Sequence, residues 1–138
     1  MKQFQTLIKI RKLKLEELLT RISMLENHIA ILEEKLVVIA AQMNVEIMKH
    51  ENSEFRFALD NYLVGAREKR KNLLEGIVVA DQKITKLKSE IHDEFGEMKK
   101  LEIALERRLE EQKSAQELAE SKILDDINIA KNHLKEES

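Results

Sequence analysis

The sequence predicts an all-α protein that folds as a long antiparallel two-helix coiled-coil hairpin. Proline is absent and glycine occurs three times among 138 residues, so little in the chain interrupts a helix. Charged residues make up 36% of the chain and aromatic residues 4%, which is poor material for a globular core. Two segments also place apolar side chains alternately three and four residues apart, which is the spacing of a coiled coil.

The first predicted helix covers about residues 3–50. Its apolar seam runs through four heptads without a polar residue. The seam consists of Leu15, Leu18, Ile22, Leu25, Ile29, Leu32, Leu36, Ile39 and Met43. Isolated helices gain little from propensity alone, whereas each buried large aliphatic side chain contributes about 1.5–3 kcal/mol. We therefore expect this seam to pack against a second helix.

The chain is expected to reverse its direction within residues 50–66. Residues 50–53 are polar at positions that the heptad would make apolar, and Asn61 and Gly65 are weak helix formers. In a competing architecture the whole chain is one helix of about 200 Å in a parallel dimer. The polar residues 50–53 argue against this architecture only moderately.

The second predicted helix covers about residues 62–134. Its apolar positions are Leu73, Ile77, Ala80, Ile84, Leu87, Ile91, Met98, Leu101 and Leu105. Glu94 is the one polar residue in this seam, and we expect the neighbouring Phe95 to cover the lapse. Two helices of these lengths predict a hairpin of about 75–110 Å, with the second helix longer than the first.

Matching the ends of the two seams predicts their register. If Leu15 lies near Leu105 and Met43 near Leu73, the midpoints of the pairs are 60 and 58. The second helix then outruns the first over roughly residues 118–138. One face of this overhang carries Ile123, Ile127, Ala130 and Leu134. An apolar face without an intramolecular partner indicates a docking surface.

The charges are distributed less evenly than the net charge of −2 suggests. Residues 1–21 hold six basic and two acidic side chains, whereas residues 110–138 hold eight acidic and four basic ones. If the basic N-terminal residues lay beside the acidic C-terminal ones, the chain would have to reverse near residue 67. We prefer the apolar register, because exposed ion pairs contribute less than about 1 kcal/mol each. The small negative net charge argues against bulk electrostatic attraction to nucleic acid or anionic lipid.

No catalytic or metal-binding motif occurs in the sequence. Cysteine is absent, and the four histidines (His28, His50, His92 and His133) lack the spacing of a helical zinc pair. Phosphate-binding glycine loops and nucleophile elbows are missing, and a two-helix fold offers no dry cleft for paired carboxylates. We therefore expect no enzymatic activity and no cofactor.

Two basic stretches and a group of aromatic residues remain open to more than one reading. Residues 66–71 (AREKRK) and the basic N-terminus are more simply explained as solvated helix surfaces, the former at a helix start, than as nucleic-acid or membrane patches. Phe55, Phe57 and Tyr62 lie in or beside the reversal. They are expected either to plug the end of the hairpin or to form an exposed surface that binds a partner.

The basic N-terminus also bears on localisation. Lys2, Lys9, Arg11, Lys12 and Lys14 interrupt its apolar positions, so it lacks the apolar core of a secretory signal. No stretch approaches the roughly 18 apolar residues of a membrane span. We therefore expect a cytoplasmic protein.

Two segments resemble a known family. They are FQTLIKIRKLKLEELLTRISMLENHIAILEEKL (residues 4–36) and KKLEIALERRLEEQKSAQELAESKILDD (residues 99–126). Together they resemble the flagellar export protein family FliJ and its injectisome counterparts of the YscO type. The sharper part is a terminal signature carried by Glu120, Lys122, Leu124, Asp125 and Asp126.

The resemblance implies a non-enzymatic stalk of the type III export apparatus. Such proteins are antiparallel coiled-coil hairpins whose termini sit in the hexameric export ATPase and whose other end contacts the cytoplasmic domain of the export gate. They also bind export chaperones, and they reach the inner face of the cell membrane only through the apparatus. By position, the contact with the gate would fall on Tyr62 and Leu63. Two other functions are alternatives to the export stalk. The chain could be a holdase that grips clients with its hairpin tip, or a structural protein that dimerises through its coiled coil.

Overall fold

The computed structural model describes the backbone of residues 1–137 and the side chains of residues 1–136. Over this range the chain forms two helices, α1 (Lys2–His50, 49 residues) and α2 (Arg56–Glu137, 82 residues). The described residues contain no strand. The two helices pack against each other in opposite directions, which confirms the predicted all-α two-helix hairpin.

A single serine organises the turn between the helices, residues 51–55. The Oγ of Ser53 donates a hydrogen bond to the carbonyl oxygen of His50 (3.1 Å) and accepts one from the backbone N–H of Phe55 (3.1 Å). The Ser53 N–H also donates to the His50 carbonyl (3.2 Å), and its own carbonyl accepts from the N–H of Arg56 (3.3 Å). Ser53 therefore satisfies backbone groups at the end of α1 and at the start of α2.

The second helix begins earlier than expected. Its first residue is Arg56 rather than a residue near 62, so Asn61 and Gly65 lie inside α2. Leu63, which lies between them, is buried in the seam. Burial of such side chains outweighs the weak helix propensity of the two neighbours, which costs only up to about 1 kcal/mol for glycine.

The chain divides into two compact units. The turn unit is Lys14–Glu94, and the terminal unit combines Met1–Leu13 with the residues from Phe95 onward. The buried core of the turn unit consists of Leu18, Ile22 and Leu32 from α1 and Leu59, Leu63, Ala66, Ala80 and Ile84 from α2. In the terminal unit the buried apolar residues are Ile8 and Met98.

The register of the turn unit differs from the expected one. Gly76 of α2 faces Leu32 of α1, since a Cβ atom built on this glycine would lie 3.2 Å from the leucine Cδ1. The midpoint of 32 and 76 is 54, not 58 or 60. The helices are therefore slid by at least one heptad. A heptad seam matches itself again after seven residues, so the apolar spacing alone does not select the register and the short turn does.

In the terminal unit, α1 covers α2 only as far as about residue 108. The guanidinium carbon of Arg108 lies 5.4 Å from the centroid of the Phe4 ring, a cation–π contact near the start of α1. Residues 106–136 are all exposed. We call residues 110–137 the C-terminal segment. It begins earlier than the expected overhang at 118.

The polar lapse at Glu94 is not covered in the way the sequence suggested. Glu94 itself is half-buried, while the Phe95 side chain is 48% exposed and packs under the ammonium group of Lys99, 5.3 Å from the ring centroid. Consecutive helical residues point about 100° apart, so Phe95 is directed away from the seam. The expectation that it covers the lapse is wrong.

Candidate interaction surfaces

The turn carries an exposed apolar surface, which we call the turn surface: Met48, Phe55 and Phe57. The side chains of Met48 and Phe57 are 86% and 79% exposed, and Phe55 is also mostly exposed. Phe55 contacts the imidazole of His50 in an edge-to-face arrangement, with the ring centroids 6.0 Å apart. Of the two alternatives for the aromatic residues, the structure excludes a buried plug and leaves a surface that can contact a partner.

The predicted gate-contact pair is split by the structure. Tyr62 is partly exposed and lines a small cavity beside Phe55 and Leu59. Leu63 is buried in the core of the turn unit. Adjacent helical residues cannot both face the seam, so only Tyr62 is available to a partner without unpacking the hairpin.

All of the predicted residues in the C-terminal segment are exposed, but they do not share one side of the helix. Glu120 and Leu124 are four residues apart and lie together, whereas Lys122 and Asp125 lie on the other side. Glu120 accepts a hydrogen bond from the Gln116 amide at 3.5 Å. The stripe of Ile123, Ile127, Ala130 and Leu134 runs beside the first pair and is also exposed.

A groove along one side of the turn unit was not anticipated from the sequence. Two of its cavities, of about 670 and 270 Å³, share Ile39 and Lys69, and a third of about 420 Å³ lies nearer the start of α1. Its α1 wall includes Met24, Ile31 and Val38. The sequence does contain a sign of this groove, because these apolar residues recur at every seventh position outside the main seam.

The basic stretch at residues 66–71 lies inside α2 rather than at a helix start. Ala66 is buried, while Arg67, Arg70 and Lys71 are exposed and border a shallow apolar depression on the outside of α2. The helix starts at Arg56 because Ser53 caps it there, which leaves this stretch as a solvated part of the helix.

Charged groups form ion pairs on the surface of the helices. The Arg21 and Glu17 side chains approach to 2.7 Å, and both are about half exposed. His92 and Asp93 approach to 3.8 Å with both side chains exposed. Among the described residues, no three His, Asp or Glu side chains converge on a position where a metal ion would be held. None of the described helices has a stretch long and apolar enough to cross a membrane.

Comparison of the chain with protein-family models, with curated protein sequences and with solved structures gives no match. The resemblance to the FliJ family therefore rests on residues 4–36 and 99–126 of the chain itself.

Proposed function

We propose that this chain is a non-enzymatic coiled-coil stalk of a flagellar-type protein export apparatus. It binds the hexameric export ATPase and links it to the export gate and to export chaperones. In this role it acts in the cytoplasm and reaches the inner face of the membrane only through the apparatus. The two segments that resemble the FliJ family support this proposal, and so does the fold, because that family consists of antiparallel coiled-coil hairpins.

The exposure of the C-terminal segment is the structural observation that most strongly supports the proposal. It is helical to Glu137, yet every side chain from residue 110 to residue 136 is exposed, including the apolar stripe that contains Ile127. A helix gains most of its stability from packing of its apolar face, so such a segment is suited to a partner that covers the stripe. The wall of the lumen of a ring-shaped ATPase is a surface that can cover it.

Stimulation of a flagellar-type export ATPase tests the proposal. The wild-type chain is expected to bind the ATPase and to raise its rate of ATP hydrolysis. Ile127→Glu is expected to raise the concentration needed for half-maximal stimulation by about tenfold or more, because a charge replaces a buried apolar contact. Ile129→Glu is the matched control on another side of the same helix, and it should change that concentration by less than about twofold.

Two outcomes would contradict the proposal. If the wild-type chain neither binds nor stimulates an export ATPase that responds to its own stalk protein, the stalk function is removed. If Ile127→Glu and Ile129→Glu weaken stimulation equally, the apolar stripe is not the surface that binds the ring.

A holdase is the second candidate, and the exposure of the turn surface favours it. Phe57 and Met48 are almost fully solvated, although aromatic and methionine side chains are common anchors of protein interfaces. A surface of this kind at the turn is suited to unfolded export clients or to their chaperones.

Client retention and ATPase stimulation separate the two candidates. Phe57→Ser is expected to abolish retention of an unfolded export substrate by a holdase, while stimulation of the ATPase stays unchanged. Phe95→Ser is the control, because Phe95 is an exposed phenylalanine far along α2 from the turn surface. Equal retention by wild type and Phe57→Ser would remove the holdase function.

A further inference from the structure

The groove in the turn unit is bordered by an apolar column that the hairpin leaves uncovered. Met24, Ile31, Val38 and Val45 follow one another at seven-residue intervals on α1. Their side chains are between 47% and 66% exposed. Seven residues are close to two helical turns, so the column forms a straight line of about 30 Å beside the groove. Apolar side chains that recur every seventh residue stay on one side of a helix, where another helix can pack against them.

The groove is also basic. Its lining contains five basic side chains, Arg21, Lys35, Lys69, Lys83 and Lys86, against two acidic ones, Glu34 and Glu90. Two such grooves would repel each other, so a face-to-face dimer through this surface is disfavoured. A groove that is both apolar and basic is complementary to an amphipathic helix with negative charge.

Gly65 widens the α2 side of the groove beside Tyr62. A Cβ atom built on Gly65 would have no neighbour within 4 Å, so packing inside the hairpin does not require a glycine there. Glycine in a helix interior costs about 1 kcal/mol relative to alanine. The missing side chain leaves room for close approach of another backbone.

We propose that this groove binds the C-terminal segment of a second copy of the chain. The segment is an amphipathic helix whose apolar stripe is uncovered in a single copy. Residues 110–138 hold eight acidic and four basic side chains, which complements the net positive lining of the groove. Glu120 and Asp126 border the stripe on its two sides, where groove lysines can reach them.

The lengths of the two surfaces are compatible. From Ile123 to Leu134 the apolar stripe spans about 17 Å, which fits within the apolar column of about 30 Å. The stripe uses intervals of three and four residues, the anchor pattern of a helix that lies in a groove. A contact of this length buries on the order of 1,000 Å², the lower end for specific interfaces, so association is expected in the micromolar range. Self-association through this groove does not depend on the proposed export function.

Sedimentation velocity on the full-length chain, with charge reversal and charge exchange, tests the proposal. The wild-type chain of 16.1 kDa is expected to associate between about 10 and 300 μM. The groove variant Lys35→Glu/Lys69→Glu should weaken association by about tenfold or more, since two attractions become repulsions. The segment variant Glu120→Lys/Asp126→Lys should weaken it similarly. A mixture of the two variants should associate, because each supplies the charges that the other now needs.

A charge-matched control identifies the surface. Lys71→Glu/Lys88→Glu reverses two exposed lysines of the turn unit that do not line the groove, and it should leave the association constant within about twofold of wild type. Circular dichroism of every variant verifies that the helices are intact.

Three results would overturn the proposal. The first is a wild-type chain that stays monomeric up to about 300 μM, the upper end of the range over which association is expected. The second is a control variant that weakens self-association to the same degree as the groove variant does. The third is a groove variant that leaves self-association unchanged but abolishes binding to vesicles of phosphatidylglycerol and phosphatidylcholine, which would assign the groove to an anionic membrane surface.

Discussion

Two adjacent leucines of α1 provide a test of how the hairpin is stabilised. Leu18 is the largest fully buried side chain, with an exposure of 0%, whereas the neighbouring Leu19 is 57% exposed. Substitution of either leucine by alanine changes the helix propensity by the same amount, so the two variants differ only in the packing that is lost. Removing the buried atoms of Leu18 costs about 2.4 kcal/mol of transfer free energy, and the cavity term raises the total to about 3 kcal/mol. The same change at Leu19 leaves no cavity and costs about 1 kcal/mol or less.

Urea unfolding followed by circular dichroism measures the difference. With a slope of about 1.5–2 kcal/mol per molar urea, Leu18→Ala should lower the midpoint by about 1.5–2 M and Leu19→Ala by about 0.5 M. The two variants should have the same slope, because both unfold the same helices. Equal losses of unfolding free energy at the two positions would refute the packing of α1 on α2 through Leu18.

Three further predictions concern the turn, the glycines and the C-terminal segment. Ser53→Ala should lower the free energy of unfolding by about 1 kcal/mol in urea titrations, because backbone groups at both helix ends lose their hydrogen bond to Oγ; an unchanged midpoint would contradict the capping role. Gly65→Ala should raise the free energy of unfolding by about 0.5–1 kcal/mol, whereas Gly76→Ala should gain less, since its Cβ would meet the Leu32 side chain at 3.2 Å; the reverse order would contradict the observed register. Removal of residues 110–138 should change the thermal midpoint, measured below about 10 μM, by no more than a few degrees, because these side chains bury nothing within one copy.

The main seam could be predicted from the sequence because heptad spacing maps directly onto one face of a helix. Leu18, Ile22 and Leu32 were all predicted as seam residues and are all buried. The register could not be predicted in the same way. Its determinant is Ser53, which the sequence shows only as one more polar residue in a lapse, and whose capping role depends on the backbone of the turn.

The interaction surfaces were harder to predict, since they depend on what the hairpin leaves uncovered. Tyr62 and Leu63 are equivalent in the sequence, yet one is exposed and the other is core. The exposed column that includes Ile31 and Val38 has the same seven-residue spacing as a seam, but only the position of α2 shows that it lies outside the packed interface. The C-terminal stripe was predicted because its spacing and its position near the chain end both appear in the sequence.

The distance between Met24 and Lys86 within one chain tests the hairpin most directly. The two residues line the same cavity across α1 and α2, and the chain contains no cysteine, so a Met24→Cys/Lys86→Cys variant takes two spin labels without background. Electron spin resonance on labelled chain diluted with unlabelled chain should report a separation of about 20 Å or less, since packed helices lie about 10 Å apart. A separation near 90 Å, the rise over the 62 residue steps from Met24 to Lys86 in one continuous helix, would contradict the hairpin.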